Sequence, residues 1–183
     1  MVRNSATNLF NLLGNLLEWS RMQRGLTQFA PTIVLLPEKF EECSLLLKDL
    51  RIKKQITLMS EIPPGLKVVA DGDMLGGILR NLLTNGLKFT PKGGNITVSA
   101  RSVSSNEIEI SVEDTGIGMK KEMIENLFRL DINTSRKGTE GEPSTGLGLI
   151  ICNDFIKKHG GKLIVESEEG KGSIFRFTLP AGN

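Results

Sequence analysis

Asn81, Asn85 and Lys88 stand at i, i+4 and i+7 in the run Asn81-Leu-Leu-Thr-Asn85-Gly-Leu-Lys88-Phe89-Thr90. In a helix that spacing projects all three side chains from one face and leaves Leu79, Leu82, Leu83 and Leu87 to pack elsewhere. Amide oxygens can ligate a hard cation such as magnesium, and an ammonium group meets phosphate oxygens as a point charge. The stripe therefore suits a phosphate chain carrying a metal ion. A solvated polar face would look the same, so the other segments have to decide.

Two glycine segments follow. In Asp114-Thr115-Gly116-Ile117-Gly118 a carboxylate ends an apolar alternating run beside two glycines. An ionised aspartate only accepts hydrogen bonds, and could take one from the exocyclic amine of adenine or guanine while the glycines let a flat ring approach the backbone. A tight turn whose aspartate satisfies local amides is the competing reading. In Ser144-Thr145-Gly146-Leu147-Gly148-Leu149-Ile150 the glycines open a helix, where free amides and the positive dipole end make an anion site. Simple capping by Ser144 or Thr145 is the alternative.

The elements that must position these groups are legible from periodicity. Leu9, Leu12, Leu13, Leu16, Leu17 and Met22 define an amphipathic helix from Ser5 to Arg24, with Phe10 and Trp19 widening its apolar seam. A strand is predicted at Thr32 to Leu36, then a helix opened by Pro37 with Phe40, Cys43, Leu46, Leu47 and Leu50 on one side. Its basic end, Lys48 to Lys54, would complement the helix dipole. Strands at Ile56 to Ser60 and Lys67 to Ala70 flank Pro63-Pro64-Gly65. The helix bearing the stripe runs from Asp71 to Lys88, followed by a hairpin of Asn95 to Ser102 with Glu107 to Glu113. A helix from Lys120 to Leu127, a loop from Arg129 to Thr145, a helix from Leu147 to Lys158 and a last hairpin of Lys162 to Ser167 with Ser173 to Leu179 complete the chain. A loop of that length in a compact domain is usually functional, and here it would act as a lid over phosphates. The tally is an α+β two-layer sandwich with helices on one face of a mixed, mostly antiparallel sheet, preceded by one long helix.

Composition excludes several classes. The 183 residues carry a formal charge of +2, with 39% hydrophobic and 24% charged side chains, which argues for neither nucleic acid nor anionic lipid as a partner. Cys43 and Cys152 form no metal-ligand spacing and read as reduced, buried thiols of a cytosolic protein. No apolar run approaches the roughly 20 residues that span a bilayer, so no membrane contact is expected here. The opening Met-Val-Arg-Asn reads as the start of a piece of a larger protein, whose other parts could carry an inner-membrane anchor.

Taken in order, the three segments resemble the nucleotide-binding motifs of bacterial sensor histidine kinases. Asn81 to Thr90 resembles their N box, Asp114 to Gly118 and Gly146 to Leu149 their two glycine boxes, and Leu127-Phe128-Arg129 their F box. His159-Gly-Gly-Lys-Leu through Phe177-Thr-Leu-Pro180 is also of that type, so the resemblance spans about Thr32 to Pro180. It implies a catalytic ATP-binding domain of the Bergerat fold at residues 28–183. Residues 1–27, with Leu-Leu-Glu-Trp-Ser-Arg, resemble the second helix of the dimerisation region.

By position, the resemblance implies that Asp114 accepts from the adenine amine, with Gly116 and Gly118 shaping that pocket. Asn85 and Asn81 would ligate magnesium, Lys88 and Arg129 would meet phosphate oxygens, and Phe89 would line the nucleotide site. Thr145, Gly146, Leu147 and Gly148 would hold the phosphates of ATP as the lid closes. The implied partners are a dimerisation hairpin carrying the acceptor histidine, a response regulator receiver domain, and a second copy in a full-length homodimer. The one histidine, His159, sits at a helix C-terminus where a partly cationic ring suits the dipole, and no acidic neighbour marks it as an acceptor. Hydrolytic members of the superfamily carry a glutamate base where this chain has Asn81, which weighs against a GHKL-type ATPase; a serine kinase of the same superfamily or a degenerate nucleotide-sensing module are the other readings. Gly76, Gly77 and Gly86 depart from the pattern and predict a looser ligand-bearing helix and weaker nucleotide binding.

Overall fold

The structure is a computed structural model that describes residues 28–129, 131–132 and 134–182. The helix expected from Ser5 to Arg24, and with it the proposed boundary at residue 27, lies outside the described residues. Along the chain the elements are β1 (Thr32–Leu35), α1 (Leu36–Leu46), α2 (Lys48–Lys53), β2 (Thr57–Glu61), β3 (Lys67–Ala70) and α3 (Gly72–Phe89). They continue with β4 (Asn95–Ser104), β5 (Glu107–Asp114), α4 (Lys121–Glu125), α5 (Leu147–Lys158), β6 (Leu163–Glu168) and β7 (Gly172–Pro180).

The main sheet has the order β2-β4-β5-β7-β6. Its β2–β4 pair is parallel and the rest are antiparallel. β1 and β3 form a separate antiparallel pair, so the strands on either side of Pro63-Pro64-Gly65 enter different sheets. Strand parity divides the main sheet into two faces. Ile96, Val98 and Ala100 of β4, Ile108, Ile110 and Val112 of β5, and Phe175, Phe177 and Leu179 of β7 are buried. The opposite face is polar, with Arg101 paired to Glu109 across β4 and β5 at 2.7 Å.

Helix α3 lies on the buried face, capped by Asp71, whose side chain accepts from the Asp73 and Met74 amides at 3.1 Å. Its residues Met74, Leu75, Ile78, Leu79, Leu82, Leu83 and Leu87 join the core with Phe40 and Cys43 of α1 and Ile151, Cys152, Phe155 and Ile156 of α5. Both cysteines are buried free thiols. The fold is the α+β arrangement expected. No helix among the described residues is long and apolar enough to cross a membrane.

Three local expectations need correcting. The helix opened by Pro37 is two helices: the Leu47 amide turns back to Ser44 O at 3.1 Å, which tightens and ends α1. As a result Leu46 is 66% exposed, and only Leu47 and Leu50 of the continued stripe are partly covered. Lys54 does not project to solvent at a helix end; it is fully buried. Finally, the helix expected from Lys120 to Leu127 spans only Lys121–Glu125. Gly76, Gly77 and Gly86 of α3 are buried. A Cβ at Gly77 would stand 3.2 Å from the Phe155 ring, so this glycine lets α3 pack closely on α5.

Candidate nucleotide site

One cavity of about 570 Å³ opens between α3, α5 and the 131–146 loop. Asn81, Asn85, Lys88, Phe89, Asp114, Thr145, Gly146 and Gly148 all line it. Residues from three separate stretches of sequence therefore meet on one concave surface.

Asp114 closes the floor for a reason of parity. It continues the buried series Ile108, Ile110, Val112 of β5, so its carboxylate faces the helices while Glu113 faces out. It is 6% exposed. Burial pushes its carboxyl up to about 6, against the lowering effect of amide hydrogen bonds from Gly116 and Ser173 and of the Arg136 charge. The Gly116 amide donates to Asp114 Oδ1 at 2.8 Å, and a Cβ on Gly116 would come 2.6 Å from Phe89 O. Gly116 thus holds the carboxylate from below. Gly118 adopts φ +60°, and a Cβ there would collide with the Glu168 carbonyl; it packs the segment against the β6–β7 turn outside the cavity lining.

The polar stripe of α3 forms the opposite wall. Asn81 Nδ2 donates to Gly77 O at 3.1 Å, which leaves Oδ1 as the outward atom. That oxygen points at the start of α5, where a Cβ on Gly148 would stand 2.7 Å from it. Only glycine leaves this gap open. Gly146, at φ +74°, caps α5, a left-handed conformation that favours glycine. Thr145 Oγ1 accepts from the Leu147 amide at 3.4 Å. The α5 amides thus stand opposite an amide oxygen and an ammonium, Lys88, whose Nζ donates to Pro143 O at 3.1 Å. Desolvation lowers the Lys88 pKa, and Glu142 partly opposes that.

A magnesium ion fits this donor set when it arrives with phosphate oxygens. Among the described residues no group of three or more His, Cys, Asp and Glu side chains could hold a metal unaided. Neutral amide oxygens beside bridging phosphates are the usual small share that protein gives to magnesium.

Four expected contributors, Gly116, Gly118, Arg129 and Leu147, lie outside the cavity lining. Arg129 is exposed and paired with Asp131 at 2.6 Å, away from the cavity lining, and Leu147 packs against the core. Conversely, sequence reasoning passed over Arg136. Its guanidinium lies 4.7 Å from the Phe89 ring centroid and faces Asp114 electrostatically. The signal available was a cation inside the loop already read as a lid.

His159 is 7% exposed and both ring nitrogens are engaged. The Asp71 amide donates to Nε2 at 2.9 Å, and Nδ1 lies 2.7 Å from Phe155 O. These partners select the tautomer protonated on Nδ1. α5 ends against the start of α3, which buries the ring between the two helices.

The family model described as "Histidine kinase-, DNA gyrase B-, and HSP90-like ATPase" matches residues 70–183. The adaptive-response sensory kinase SasA of Crocosphaera subtropica is 34% identical over 181 residues, covering 97% of this chain and 46% of that protein. The chain thus spans less than half the length of that curated relative. Full-length ShkA in complex with AMPPNP superposes with a TM-score of 0.81 at 25% identity, covering 99% of this chain and 37% of that one. Histidine kinase ThkA in complex with the response regulator protein TrrA superposes with a TM-score of 0.75 at 25% identity, covering 99% and 49%.

Proposed function

Because this chain belongs to the histidine kinase-, DNA gyrase B- and HSP90-like ATPase family, we propose that its cavity binds ATP with magnesium for phosphoryl transfer to a histidine. The acceptor would sit on a dimerisation hairpin outside the described residues, with residues 1–27 supplying part of that region and 28–183 the catalytic domain. The observation that carries the reading is the convergence of the buried Asp114, the Asn81, Asn85 and Lys88 stripe and the start of α5 on one cavity.

Each group has a role set by its chemistry. Asp114, ionised above about pH 6, accepts from the adenine amine, with Gly116 holding the carboxylate and Phe89 lining the wall; Gly118 acts on the pocket only indirectly, by packing the segment against the β6–β7 turn. Asn85 and Asn81 offer amide oxygens to magnesium, which supplies charge neutralisation at the phosphates when bound. Lys88 meets phosphate oxygens directly. Arg129 joins it if the loop carries its Asp131 pair inward. Thr145, Gly146, Leu147 and Gly148 present the α5 N-terminus to the phosphates as the loop closes. The chemistry is positioning and charge compensation, without a protein nucleophile.

The nucleotide complex of ShkA and the regulator complex of ThkA support ATP as ligand and a response regulator as the downstream partner; a homodimer of the full-length protein is proposed only from the resemblance of residues 1–27 to a dimerisation region. The decisive experiment is nucleotide titration of Asp114→Asn and Asn85→Ala. Each is expected to weaken ATP binding by about tenfold or more, the loss of one charge-assisted contact. The Asn85→Ala loss should vanish when magnesium is withheld. Unchanged affinity in both variants would sink the site assignment.

A further inference from the structure

Lys54 lies outside the cavity lining, yet its buried ammonium ties together three elements. Nζ donates to Leu87 O at 2.6 Å and Lys88 O at 3.1 Å, two carbonyls of the last turn of α3. It also reaches Thr139 Oγ1 at 2.7 Å and Glu142 Oε1 at 3.0 Å in the loop over the cavity. An ammonium has three protons, so these four acceptors exhaust it. We propose that Lys54 is a positioning residue: it latches the base of the 138–142 loop to the end of α3, and so holds Lys88 and Pro143 at the phosphate end of the cavity.

The surrounding bonds make this a defined turn. Gly138 N donates to Glu142 O at 2.8 Å and Thr139 N to Lys88 O at 2.9 Å, while Glu140 N donates to Glu142 Oε2 at 2.8 Å. One residue beyond the latch, Lys88 Nζ meets Pro143 O at 3.1 Å, so the side chain assigned to phosphate and the loop that covers it share one anchor. Carbonyls at a helix C-terminus carry partial negative charge and lack intrahelical donors, and a buried cation satisfies both needs. A methionine would fill the same space without the cost of desolvating a charge. The ammonium is therefore matched to these acceptors, not merely to the volume. Lys53 next to it makes only an exposed pair with Glu140 at 3.7 Å, which is worth little.

The inference rests on the ATP reading above, and its test separates the two. Magnesium-ATP and adenosine are titrated by calorimetry into the wild-type chain, Lys54→Met, Glu142→Gln and Lys53→Met, and amide exchange is followed at Gly138 and Thr139. Lys54→Met and Glu142→Gln are expected to raise the ATP dissociation constant about tenfold, leave adenosine binding unchanged, and speed exchange at both amides. Lys53→Met is expected to change none of these. Equal losses for ATP and adenosine, or no loss for either, would overturn the positioning role. If Lys54→Met does not fold, Glu142→Gln, on the surface loop, decides alone. A wild-type chain that binds no ATP would instead refute the ATP reading. The exchange rates would still judge the latch, and unaltered protection of Gly138 and Thr139 would reject it.

Discussion

Gly86 of α3 sits so close to Ile96 of β4 that a Cβ on the glycine would stand 2.9 Å from Ile96 Cδ1. The position is buried from both sides, with Asp114 Cβ 3.8 Å from the same point. Alanine would gain about 1 kcal/mol of helix propensity but would overpack a fully buried isoleucine, at about 1–3 kcal/mol. Gly86→Ala is therefore expected to lower stability by about 1 kcal/mol in urea unfolding, a net of those two effects. In an Ile96→Val background, which removes Cδ1, the same change should stabilise. Equal effects in both backgrounds would show that the contact does not set the choice of glycine.

Asp114 links stability to ligand binding with opposite signs. Its folded pKa of about 6 lies above its ordinary value, so its contribution to stability is complete below the ordinary carboxylate range and is lost as pH rises through 6. Raising this carboxyl from its ordinary range to about 6 corresponds to about 3 kcal/mol at most. Asp114→Asn should thus be more stable than wild type at pH 7.5, by about 1–3 kcal/mol, while binding ATP less well. Adenosine affinity of the wild type should fall as pH drops below about 6. Since the Arg136 charge lowers the Asp114 pKa, Arg136→Ala should move that acid limb upward. Urea unfolding and ATP titration at pH 7.5 read the Asp114→Asn expectation, adenosine titrations from pH 5 to 8 read the other two, and a pH-independent affinity would contradict the assignment of Asp114 to the base.

His159 is expected to be structural. With Nε2 held by the Asp71 amide and Nδ1 by Phe155 O, neither nitrogen is presented to an incoming phosphoryl group. Incubation with labelled ATP should yield no phosphohistidine at His159. His159→Phe should cost about 1–3 kcal/mol, because it leaves the buried Asp71 amide without an acceptor. Its nucleotide affinity should stay near wild type. Recovery of phosphate on His159 would overturn this picture.

Much of the site could be read without coordinates because it depends on local periods. Helical spacing alone put Asn81, Asn85 and Lys88 on one face, since about 3.6 residues make a turn wherever the helix packs. The α5 start at Leu147 and its glycine cap were equally local, and the strand ending in Asp114 was visible as an alternating run. Which partners these elements meet was not encoded at short range. Lys54 looked like the basic end of a helix, and only the fold brings it to Glu142, 88 positions away. Arg136 was one cation in an aperiodic loop until tertiary packing laid it over Phe89. His159 was a ring at a helix end, and only the fold supplies the Asp71 amide, 88 positions earlier, that it accepts from. Gly77 and Gly86 read only as departures within a helix, and the fold supplies the Phe155 and Ile96 side chains that a Cβ at each would meet. Residue chemistry and period determined what each element could offer; the choice of partners was left to packing, because burial and long-range contact act between segments that the chain itself keeps apart.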